Sequence, residues 1–185
     1  MNNKLTTRKI VFAALMTALT VVGSGLRIKV PAGLVGTSAF HLGNIMCALS
    51  GILLGPWLGG LAAGLGSAIY DMFDPMYIAE CWLTFLMKGV YGLVVGLIFR
   101  TGSKRNYIKA TLASATGAVT YALLYLFKSY VKAMIVQGVA ASAAWIAVLD
   151  KIPATVFNAA VAIVFAPMLA AAIRTALKKN HLSLE

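Results

Sequence analysis

The chain has 185 residues, of which 61% are hydrophobic and only 11% charged. Soluble domains carry about 25% charged residues, so this composition excludes a soluble globular protein and predicts an integral membrane protein with nearly all its length in the bilayer. The net charge of +11 does not point to nucleic acid, because the basic residues flank apolar segments, as expected for residues that orient a membrane protein.

A spanning helix needs about 20 apolar residues, within a range of about 17–25. The first such stretch is 10–26, preceded by Lys4, Arg8 and Lys9. It lacks a convincing cleavage site and is followed by Arg27 and Lys29, so it is read as a mature helix rather than a signal peptide. The next apolar run, Gly43 to Tyr70, has 28 residues without a charge. Gly55-Pro56 breaks it, because proline removes a backbone donor and clashes with the preceding turn. Two short helices, 42–54 and 57–70, are therefore predicted, with Trp57 at an interface. Further helices are predicted over 81–99, with Lys88 inside, over 108–127 and over 152–173. Asp150 is a candidate cap for the last and Pro153 fits its first turn. Segments 27–41, 71–80 and 129–150 are left as loops.

Charge placement supports six crossings over five. With six helices and a cytoplasmic N-terminus, ten basic residues fall on the cytoplasmic side: Lys4, Arg8, Lys9, Arg100, Lys104, Arg105, Lys109, Arg174, Lys178 and Lys179, with no acid but Glu185. The outer ends mix Arg27, Lys29, Lys128, Lys132 and Lys151 with Asp71, Asp74, Glu80 and Asp150. The expected fold is an all-α bundle of six transmembrane helices forming one domain, with both termini in the cytoplasm.

Polar residues inside the apolar segments collect at the outer half. Tyr121, Tyr125, Lys128 and Lys132 are spaced 4, 3 and 4 apart, on one helical face. Thr84, Lys88 and Tyr91 repeat that spacing, as do Lys151, Thr155 and Asn158, and Asn44, Ser67, Tyr70 and Asp71 join at the same depth. One reading is interfacial, with snorkelling lysines, belt tyrosines and solvated acids. The other, favoured for the set, is convergence on one outward-facing pocket. Candidate binding residues are Asn44, Tyr70, Asp71, Lys88, Tyr121, Tyr125, Lys128, Lys132, Lys151 and Asn158. Tyrosines would stack on a flat ring and lysines would meet carbonyl or acidic groups.

Ala14 and Ala18 have a small-xxx-small spacing that permits close helix approach, either within the bundle or against another membrane protein. The chain has no G-x-x-x-x-G-K-[ST] phosphate loop, so it does not hydrolyse ATP by that route. Cys47 and Cys81 read as buried thiols. His41 and His181 are placed at opposite membrane faces, and neither a metal cluster nor a catalytic triad can be assembled, which disfavours an enzyme. No cofactor is expected.

The segment His41-Leu-Gly-Asn44, followed by Leu53-Leu-Gly-Pro56 and a glycine-rich third helix, resembles the substrate-binding S components of energy-coupling factor (ECF) transporters of prokaryotes, in the broad group that includes riboflavin S components. The resemblance covers essentially the whole chain and implies capture of a vitamin or related micronutrient from outside the cell membrane. It also implies docking of helix one, through Ala14 and Ala18, on a transmembrane coupling protein driven by two cytoplasmic ATPases. A small self-sufficient secondary transporter or channel is the alternative, and a structural membrane protein without a ligand is the third.

Overall fold

The computed structural model describes residues 6–31, 37–102 and 106–180. Lys4, Lys104, Arg105 and Glu185, which entered the charge map, and His181 lie outside the described residues. Helix α1 spans Thr7–Gly25 and opens on Thr6, whose hydroxyl accepts from the Lys9 amide at 3.4 Å. Strands β1 (Arg27–Pro31) and β2 (Thr37–His41) pair antiparallel, with Arg27 opposite His41. This two-stranded hairpin corrects the expectation of a loop over 27–41, in a chain that is otherwise helical as expected. Its pairing fills the backbone hydrogen bonds of a segment with no helical periodicity.

Helix α2 (Gly43–Leu54) is buried at every position but Met46. A helix apolar on all sides belongs inside a bundle, and this accounts for the uncharged run and for a helix of only 12 residues. The chain then turns at Gly55, whose φ of 81° is the left-handed conformation that glycine adopts freely. Arg100 Nη2 donates to the Leu54 carbonyl at 3.0 Å, pairing one orphan acceptor of the α2 terminus.

Helix α3 (Pro56–Met72) carries proline at its first position. It packs against α2 and against α4 (Cys81–Arg100) through glycines. A Cβ at Gly92 would lie 2.7 Å from the Gly59 oxygen, and one at Gly59 would lie 2.5 Å from the Ser50 oxygen. The seam therefore brings backbones into direct contact, the packing by which helices associate where no hydrophobic effect drives them together.

Helix α5 (Tyr107–Val131) starts on Asn106, whose side chain accepts from the Lys109 amide at 3.0 Å, and ends in a π-type turn, Lys132–Val136. Helix α6 (Ala141–Leu149) follows, where a loop was expected. Its alanine-rich sequence favours helix, and Trp145 rests on Tyr130 with ring centroids 4.9 Å apart. Helix α7 spans Ile152–Lys179 with Pro153 in its first turn. Asp150 does not cap it: the capping position is Lys151, without a side-chain bond, and Asp150 closes α6 instead.

Four stretches are helical, long and apolar enough to cross a membrane: Thr7–Gly25, Ile78–Arg100, Tyr107–Val136 and Ala141–Lys179. The two shorter helices, α2 and α3, lie among them. Successive contacts fix the directions of the elements. Gly25 meets Tyr70 and Gly66 meets Thr17, Gly64 meets Phe85 and Gly96 meets Pro56, and Gly117 meets Tyr91. The bundle thus has a hairpin end, and a turn end where the Gly55 turn, Arg100 and Arg174 gather. Arg174 sits over Phe99 at 4.9 Å.

Candidate functional site

A cavity of about 70 Å³ lies beneath the hairpin, enclosed by the hairpin-side ends of α1 to α5 and α7. Seven of the ten candidate residues line it: Asn44, Asp71, Lys88, Tyr121, Tyr125, Lys128 and Asn158. A second hollow of about 100 Å³ adjoins it, sharing Tyr77, Tyr125 and Lys128, and there Lys132 and Lys151 are found. Tyr70 lines neither. Its ring lies under the Arg27 guanidinium at 4.1 Å and supports that side chain from behind.

Lys88 is buried on α4. Its ammonium donates to the Asn44 amide oxygen and sits 3.9 Å from the centroid of the Tyr121 ring. Tyr91, Tyr121 and Tyr125 form a stacked column down the α4–α5 interface, with centroids 5.7 and 6.0 Å apart. The spacing of 4 that put Tyr121 and Tyr125 on one face thus becomes a ladder of rings, two of which line the cavity. The faces of Tyr121 meet neighbouring tyrosines and Lys88, so its ring acts as a partner for a cation.

The mouth is held by ion pairs. Arg27 reaches Asp71 at 3.5 Å and Asp74 at 3.8 Å, and Lys29 reaches Asp74 at 2.7 Å. These contacts tie β1 to the end of α3. Burial opposes ionisation of Asp74, but Lys29, the Met76 amide and Arg27 outweigh it and hold the carboxyl below the usual range. Glu80 is clasped by Lys128 and Lys132. Asn158 joins α7 to β2, since its Oδ1 accepts from the His41 amide and its Nδ2 donates to the Ala39 carbonyl.

Arg27, Ser38, His41 and Tyr77 also line the cavity and were not among the sequence candidates. Three come from the hairpin and one from the segment before α4, where no periodic signal marks an inward-facing side chain. His41, placed at a membrane face by the sequence reading, has its Nδ1 buried without a partner. Burial, with the Lys88 and Arg27 charges, holds its imidazole well below the ordinary value, so it is neutral.

An apolar helical bundle with four stretches long and apolar enough to cross a membrane, and a polar cavity at one end, defines the class of fold. Residues 4–175 match the family described as ECF-type riboflavin transporter, S component, and the chain belongs to that family. The resemblance read from His41–Asn44 and Leu53–Pro56 is thereby shown, and the family is one of transporter components rather than enzymes. An "uncharacterized protein in gap 3'region" of Pyrococcus woesei is 34% identical over 114 residues, covering 62% of this chain and 72% of that protein. A UPF0397 protein of Streptococcus gordonii is 31% identical over 104 residues, and the alignment spans 56% of this chain and half of that relative.

Proposed function

We propose that the chain is the substrate-binding subunit of an ATP-driven ECF-type importer, which captures a vitamin-like micronutrient from outside a prokaryotic cell. The observation that carries this reading is the polar cavity at the hairpin end, opposite the end where Thr7 and Lys179 lie. In this reading all six longer helices, including the short α2 and α3, count as crossings. The turn end, with Arg100, Lys109, Arg174, Lys178 and Lys179, is cytoplasmic, and the hairpin end faces outward. Asn44, Asp71, Lys88, Tyr121, Tyr125 and Lys128 contact substrate. Asn158 and Tyr70 hold the walls, while Lys132 and Lys151 line the approach.

A 70 Å³ cavity has room for about five waters at 10–15 Å³ each. A bound vitamin therefore requires the lining of the cavity to move apart. Ala14 and Ala18 are exposed on the outer face of α1 among Val11, Leu15 and Leu19. This supports a docking face for a transmembrane coupling subunit, itself driven by two ATPases, over packing inside the bundle.

The test is to purify the chain alone, identify any co-purifying molecule by mass spectrometry and measure its rebinding. The protein should bind but not transport. Substrate movement down a gradient in liposomes holding this chain alone would favour a self-sufficient transporter.

A further inference from the structure

Six cationic side chains converge on the two adjoining cavities and their rim: Arg27, Lys29, Lys88, Lys128, Lys132 and Lys151. Three acids face them among the described residues, and each is already paired with at least one cation. Asp71 and Asp74 take Arg27, Asp74 also takes Lys29, and Glu80 takes Lys128 and Lys132. Lys88 and Lys151 have no carboxylate within ion-pair distance among the described residues. Lys151 donates to the Ser129 hydroxyl at 3.3 Å.

Lys88 is only 4% exposed, and its two partners are a neutral amide and a ring face. A buried ammonium is costly unless an anion neutralises it. It lines the cavity beside His41, whose buried Nδ1 lacks a partner.

We infer that the substrate is an acid, whose carboxylate or phosphate group pairs with Lys88 at the inner wall of the cavity. The lysines of the adjoining hollow attract it on the way in, because a cleft lined by one sign of charge raises the local concentration of its counter-ion. His41 Nδ1, in the tautomer that carries its proton there, is a second donor to the same group. The inference rests on the importer reading and narrows it from a vitamin to an acidic one.

The experiment measures binding by the purified chain of vitamins in matched neutral and acidic forms: nicotinamide and nicotinate, pyridoxine and pyridoxal 5'-phosphate, riboflavin and riboflavin 5'-phosphate, with biotin and pantothenate as further acids. An acidic form should bind at least about tenfold tighter than its neutral counterpart, as a desolvated charge pair requires. The carboxylate and phosphate pairs separate the two sources of charge. Lys88→Met should remove that preference, and Lys88→Arg should retain part of it. Lys88→Gln is the second variant should the Met side chain disturb packing around Asn44. Preference for neutral forms, or an unchanged acid affinity in a Lys88 variant that still melts cooperatively, overturns the inference and leaves the importer reading standing. Binding of none of these acids overturns the inference, while the importer reading stands or falls on the co-purifying molecule.

Discussion

Asn158 of α7 is bonded to strand β2 on both sides of its amide. The His41 amide lies 3.0 Å from its oxygen, and its nitrogen lies 2.7 Å from the Ala39 carbonyl. One side chain thus fixes the register of the hairpin over the cavity from a helix more than 100 residues away in sequence. Asn158→Ala leaves two backbone groups without partners and should cost about 1–3 kcal/mol of stability. Hydrogen exchange at residues 39–41 should quicken, and bound substrate should leave faster. Unchanged exchange there would show that the hairpin is held without Asn158.

The seam of α2, α3 and α4 should tolerate no added carbon where backbones touch. Gly59→Ala places a methyl 2.5 Å from the Ser50 oxygen and should destabilise by about 1–3 kcal/mol. Gly89→Ala is the contrast, since its nearest neighbour would be 3.6 Å away. There the gain in helix propensity, about 0.5–1 kcal/mol, should appear as equal or higher stability. Thermal melts of the two variants in one detergent make the comparison.

Ala14 and Ala18 are exposed, so replacing both by leucine should leave folding and substrate affinity unchanged. Uptake by cells carrying the complete transporter should fall to background, because a bulky face no longer permits close helix approach. Loss of binding by the isolated variant would assign the two alanines to the fold of the subunit instead.

Orientation can be read with single cysteines in a background lacking Cys47 and Cys81. A cysteine at Met76, on the hairpin end, should react in intact cells with a membrane-impermeant maleimide. One at Thr101, on the turn end, should react only after permeabilisation. The reverse pattern would invert the proposed topology.

The Asp74 carboxyl is depressed in the folded protein. Its contribution to anchoring β1 is therefore complete above the unfolded value of about 3.9 and is lost as pH falls through the lower folded value. Protection of the 27–30 amides, measured against their intrinsic exchange rate at each pH, should stay high near neutral pH and fall in that acidic window. Asp74→Asn should show the lower protection at neutral pH and little further loss of protection on acidification.

The helices other than α6 were legible because apolar run length and the Gly55-Pro56 break are local properties. The 4-and-3 spacing likewise placed Tyr121, Tyr125 and Lys128 on one face before any fold was known. The hairpin was not legible, since its inward side depends on Asn158 and Asp74, which only folding brings near. Arg27, His41 and Tyr77 were missed for that reason. Periodicity reports which side chains share a face, and long-range packing decides what the face meets. Sequence by itself determined a membrane protein with a turn at Gly55 and a band of lysine and tyrosine at one depth. Tertiary structure alone decided that α2 is buried at every position but Met46, that Ala14 and Ala18 look outward, and that Lys88 meets an amide and a ring, with Asp71 in the same cavity beyond ion-pair distance. Burial and charge pairing are properties of neighbours, and most of those neighbours are distant in the chain.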